Sequence, residues 1–212
     1  MTLRNADPVG TAVARVADEF AGMTARRDEA GCGRCFDEDE IALLRRPAVP
    51  LPEDLVRRVA QKEPGHWGDQ AAVVRRVLPQ LVVMLSDGAD EPETMARGLA
   101  AAGWPRWPAG QADAVAAFLD AWWARTLRTA SPPTPPYEVF ATCATATSTV
   151  TPWLARWSAE PGPTARHHLR ECVEWWQEDL ESDTSPFSWW WGDETERRAA
   201  WAELMTWLGV RP

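Results

Sequence analysis

The sequence has little positive charge to offer an anionic polymer: 22 basic residues stand against 31 acidic ones, for a formal net charge of −9. Nucleic-acid affinity comes largely from neutralised phosphates, so this balance argues against a nucleic-acid binder. Lys62 is the single lysine, and the other basic residues are arginine. With abundant alanine and proline, that bias points to a GC-rich bacterial genome. Long apolar runs are missing too. The longest, residues 77–85, is interrupted by Pro79-Gln80 and is far short of a bilayer span, which excludes a membrane helix there. Met1-Thr2-Leu3-Arg4-Asn5 leads into a polar segment and not an apolar leader, so a cytoplasmic chain is expected. The catalytic fingerprints G-x-S-x-G, H-E-x-x-H, the phosphate loop and the dinucleotide glycines are all absent. A di-metal carboxylate bundle would need Glu-x-x-His pairs inside the core, and none occurs there. The balance leans away from an enzyme.

What is present is helical periodicity. Hydrophobic residues make up 45% of the 212 and charged residues 25%, the proportions of an ordinary globular chain with a core of its own. A helix is expected over 9–26, with Val13, Val16, Ala17, Phe20 and Met23 on one face. Asp37-Glu38-Asp39-Glu40 opens a short helix through Leu44, and Pro52 starts one to about Glu63. Asp69 caps a long helix through Leu85 that Pro79 should kink. Further helices are expected over 91–102, 111–128, 152–158, 164–180 and from Asp193 to Leu208. The Thr/Ser-rich stretch 137–147 starts helical and decays. No strand pattern competes, so the fold class is all-α.

The proline run 131–136 is a stiff connector. It marks off an N-terminal helical subdomain, 1–130, from a C-terminal one, 137–212, the two packing as one globular unit. Trp67-Gly68-Asp69 and Trp191-Gly192-Asp193 each put a Trp, a Gly and a capping Asp before a helix, with Trp107 and Trp153 between them. Their spacing lies near the ~40–47-residue period of helix-pair repeats, which adds a solenoid-like stack of helix pairs as a variant of the all-α array.

Chemistry concentrates on Cys32-x-x-Cys35. Four reduced cysteines in a cytosolic chain leave metal binding, catalysis or burial as readings. A dithiol redox centre is disfavoured by the four carboxylates that follow and by the lack of a βαβ context. Half of a structural zinc site fits better. His168 and Cys172 are i, i+4 on one expected helix and would complete a Cys3His set with Cys32 and Cys35, with His66 as the alternative ligand. Against this, Cys172 also belongs to an apolar stripe with Leu169 and Trp176, where a cysteine is ordinarily just buried. In Trp122-Trp123 and Trp175-Trp176 one ring should face the core and the other its margin. Trp189, Trp190 and Trp191 are hard to bury together and would mark a contact surface.

The run Cys32-Gly33-Arg34-Cys35-Phe36-Asp37-Glu38-Asp39-Glu40, then Leu43-Leu44, Pro47, Asp54-Leu55, Trp67-Gly68-Asp69, Leu78-Pro79 and residues 102–108 and 118–123, resembles a bacterial family of small, Trp-rich helical proteins with an N-terminal Cys-x-x-Cys. The resemblance covers roughly residues 30–130. No activity attaches to that family, so it implies a compact all-α fold and nothing about mechanism. Three functions follow from the residues: a non-enzymatic cytoplasmic module binding a protein partner; a zinc-stabilised or thiol-based sensor or enzyme using Cys32 and Cys35; or an acidic inhibitor or immunity protein capping a basic partner.

Overall fold

Aspartates and prolines set where the helices begin. The computed structural model describes residues 7–181 and 194–209. In α1 (Pro8–Glu19) the Asp7 carboxylate accepts the Val9 N–H at 3.1 Å and Pro8 fills the first position. α2 (Glu38–Leu44) carries both arms of a capping box between Asp37 and Glu40. α3 (Glu53–Ala60) follows Pro52 directly. α4 (Gln70–Asp87) is capped by Asp69 on the Ala72 N–H, runs through Pro79, and ends at left-handed Gly88. α5 (Pro92–Ala101) leads through a 3-10 turn, Trp104–Arg106, to α6 (Ala109–Arg128). Then come α7 (Pro136–Thr147), α8 (Thr151–Ser158), α9 (Pro163–Glu181) and α10 (Glu194–Trp207). Among the described residues every regular element is helical, and no helix is long and apolar enough to cross a membrane.

Three local expectations are corrected. The first helix stops at Glu19, not near residue 26, because the chain turns at left-handed Gly22; Phe20 and Met23 still reach the core from the turn. The stretch 137–147 stays helical to Thr147. Thr142 and Thr145 are buried, and Thr142 and Thr147 donate their hydroxyls to the carbonyls of Glu138 and Cys143 one turn back, so these polar groups have partners inside the helix. Both rings of Trp122-Trp123 are buried, since α6 is covered by α1, α7, α8 and α9 together. In Trp175-Trp176 the split does appear: Trp176 is buried and Trp175 is half exposed against the Tyr137 ring.

Helices far apart in sequence pack extensively on one another, α5 on α7 and α1 on both α6 and α4, alongside the neighbours α3 and α4. A solenoid repeat touches only its neighbours, so this is a globular array and not a stack of helix pairs. The proline run is itself packed: Thr134 and Pro136 are buried and Pro133 lies against Gly88. Within this core the indole N–H groups find backbone carbonyls, Trp104 on Ala146, Trp107 on Ala102, Trp123 on Trp153 and Trp157 on Ala165. These four amphipathic rings are thereby buried without stranding their polar end, whereas the Trp67 indole N–H is buried with no hydrogen-bond partner. Trp123, Phe140, Trp157 and Trp176 form one aromatic cluster joining α6, α7, α8 and α9.

Candidate metal centre

Two loops meet at the N-terminal side of the fold. One joins α1 to α2 and carries Cys32 and Cys35; the other joins α3 to α4 and carries His66. The cysteine loop closes as a turn in which the N–H groups of Cys35 and Phe36 both donate to the Cys32 carbonyl, at 2.8 and 3.1 Å. This puts the two thiols on the same side. Cys32 Sγ, Cys35 Sγ and a His66 ring nitrogen then lie within 4.8 Å of one another, all three residues partly exposed. Cys35 Sγ is 3.6 Å from His66 Nδ1. A zinc ion with sulfur at about 2.3 Å and nitrogen at about 2.0–2.1 Å on tetrahedral directions holds such atoms about 3.5 Å apart. The pair is already at ligand spacing.

Glu29 holds the two loops in this register. Its side chain is buried at 3% exposure and accepts three backbone N–H groups: Gly31 at 3.0 Å from the cysteine loop, and Gly68 and Asp69 at 2.9 Å each from the histidine loop. Burial pushes the Glu29 carboxyl up, but the donated N–H groups of Gly68, Asp69 and Gly31 outweigh it and hold the group below the usual carboxylate range. Trp67 and Phe36 pack across the same junction, their rings tilted by 37° with centroids 4.3 Å apart. Gly31 is obligatory there: its φ is +61°, and a Cβ would stand 2.8 Å from the Trp67 ring. Arg58, on α3, donates to the Cys35 carbonyl at 2.9 Å, pairs with Glu40 and Asp54, and lies over the Phe36 ring. Arg45 donates to the Glu29 carbonyl.

The thiols differ in character. The Arg34 N–H, and after it the Cys35 side chain, hold the Cys32 thiol below its ordinary range. Asp37 and Glu40, expected to suppress a thiolate, are occupied by the capping box, and Glu40 also by Arg58. The other two cysteines are buried, and burial pushes both thiols up.

His168 and Cys172 are not brought to the pair. Among the described residues the group of mutually close ligands is Cys32, Cys35 and His66. α9 packs on α6 and α7, where Cys172 is buried in the core. His168, also buried, uses Nε2 on the Thr129 carbonyl at 2.9 Å just past α6, a contact that makes Nε2 the protonated donor. No family model matches this chain, and no curated protein or solved structure matches it. The chemistry therefore rests on the geometry. His66 also lines a cavity of about 340 Å³ with Arg26, Asp28, Glu29 and Trp67, so open space adjoins the ligand cluster. Trp189, Trp190 and Trp191 lie outside the described residues.

The sequence reading missed Glu29 and Arg58. Neither sits in a motif, and a carboxylate binding backbone N–H groups leaves no spacing signature. Trp67-Gly68-Asp69 was visible as a helix start; its second use, as two N–H donors to Glu29, was not.

Proposed function

We propose that the protein is a zinc-binding sensor in which Cys32, Cys35 and His66 hold one Zn²⁺. Metal occupancy would set how firmly the cysteine loop and the Trp67 loop are held together. The observation that carries this reading is the mutual approach of the three ligand atoms within 4.8 Å. Two further features support it: a lowered Cys32 thiol, since the thiolate is the ligand, and a loop register fixed by Glu29 without metal. Three protein ligands leave a fourth position for water or a small exogenous ligand, the arrangement of an exchangeable site and not a closed structural one. The cavity beside His66 gives that ligand room.

The interaction-module reading draws on Trp189, Trp190 and Trp191. Among the described residues the large exposed hydrophobics are Val83 and Trp175, single residues that make no patch of contact size.

Zinc stoichiometry in four chains separates the ligand sets. The unaltered protein and Cys172→Ala are expected to bind about one equivalent, and Cys35→Ser and His66→Ala less than about a tenth of one. Retention by His66→Ala with loss by Cys172→Ala would overturn the assignment.

A further inference from the structure

A second site lies where the loop between α2 and α3 crosses α4. Arg76 donates through Nε to the Arg46 carbonyl at 3.1 Å and through Nη2 to the Val49 carbonyl. One turn on, Gln80 makes a two-way pair with the N–H and carbonyl of Leu51, at 2.8 and 2.9 Å. The loop is thus pinned at both ends, and between the pins Ala48 is held at φ +54°, an unfavourable conformation for a residue with a Cβ.

Arg76 is 7% exposed, yet no carboxylate among the described residues pairs with it. Burial alone acts on its guanidinium, pulling it down from its usual range. A buried cation without a counter-charge is costly, and two carbonyls supply dipoles but no charge. A cavity of about 410 Å³ opens over it. Its remaining walls are mainly apolar, among them Phe20, Met23, Val49, Pro50 and Pro79. A concave apolar pocket of a few hundred cubic ångströms with one or two placed polar groups is the usual form of a small-molecule site.

We infer that this cavity binds a small amphipathic carboxylate, with the carboxylate on Arg76 and an apolar body along Phe20, Met23 and Pro79. Charge complementarity selects the head group: Arg76 is the unpaired cation and Gln80 is engaged with Leu51. The apolar walls select a hydrocarbon body over a sugar or a phosphate ester. This site shares no residue with the metal centre and does not depend on it.

Calorimetric titration of the full chain with octanoate, and in parallel with octanol, tests the inference. Octanoate is expected to bind saturably at one site, and octanol about tenfold more weakly or worse. Arg76→Gln should weaken octanoate by about tenfold while leaving octanol unchanged. Because Arg76 also pins the loop, a second variant leaves it in place: Ala21→Trp, at an exposed position on the cavity wall, should abolish binding of both probes. Octanoate affinity in Cys35→Ser should equal that of the unaltered chain, which separates this site from carboxylate binding at a metal. Equal affinities for octanoate and octanol, no saturable octanoate binding, or full octanoate binding by Ala21→Trp would overturn the inference.

Discussion

Glu29→Gln is expected to cost the fold about 2–3 kcal/mol and to weaken zinc binding by about 10–100-fold, although residue 29 touches no ligand atom. The carboxylate takes Gly31 and Gly68 on Oε1 and Asp69 on Oε2. An amide of the same shape keeps one acceptor and turns an N–H₂ toward a remaining N–H, leaving a buried donor without a partner. The loops would then lose the register that sets Cys35 Sγ near His66 Nδ1, so the effect passes from backbone to ligand geometry. The sign of the pH dependence follows from the depressed carboxyl. A group with a folded-state pKa below its unfolded value stabilises the fold above the unfolded value, about 4.3 for Glu, and that stabilisation fades as pH falls through the folded value. The stability gap between the unaltered chain and Glu29→Gln should therefore be widest near neutrality and shrink below about pH 4. Urea unfolding of both chains at pH 7 and pH 3.5 measures it. A gap that stays constant across that range would contradict the role given to the carboxylate.

Gly98→Ala should destabilise the protein by roughly 3 kcal/mol, against the gain of up to about 1 kcal/mol that alanine ordinarily brings to a helix interior. Gly98 lies buried in α5 where that helix crosses α3, and an added Cβ would stand 2.3 Å from the Ala60 carbonyl oxygen and 3.0 Å from its carbon. Those atoms are backbone and cannot rotate away, so α3 must move. Arg58 rides on α3 and donates to the Cys35 carbonyl, so the displacement should also reach the cysteine loop. Gly162→Ala, whose added methyl group meets nothing within 4 Å, is the comparison and should change little. A shift of denaturation midpoint in Gly98→Ala no larger than that in Gly162→Ala would show that the helices do not approach this closely.

The helices were legible because their signals are local. Asp37 with Glu40, Asp69, Pro52 and Gly103 act within one turn of themselves, and the element boundaries follow them closely. The exceptions are places where packing outweighs propensity. Thr142 and Thr145 suit a helix poorly when exposed, and here burial in α7 holds them helical. Trp122 and Trp123 share the core because α1, α7, α8 and α9 together cover more than one face of α6, a fact of topology that no period records. The candidate metal site was half legible for the same reason. A Cys-x-x-Cys turn is written in four adjacent residues, whereas choosing between His66 and His168 requires knowing which loop lies beside it. The i, i+4 spacing of His168 and Cys172 was a true statement about one face of α9, but that face looks into the core. Glu29 joins segments about forty positions apart through backbone N–H groups that every residue but proline possesses.

The most direct test of the central claim is metal analysis of the full chain purified without added zinc and without chelator. The Cys32–Cys35–His66 arrangement predicts close to one zinc per chain, released by a thiol-modifying reagent before the buried Cys143 and Cys172 react. Less than about a tenth of an equivalent, with no zinc taken up on later addition, would contradict a zinc centre at these residues.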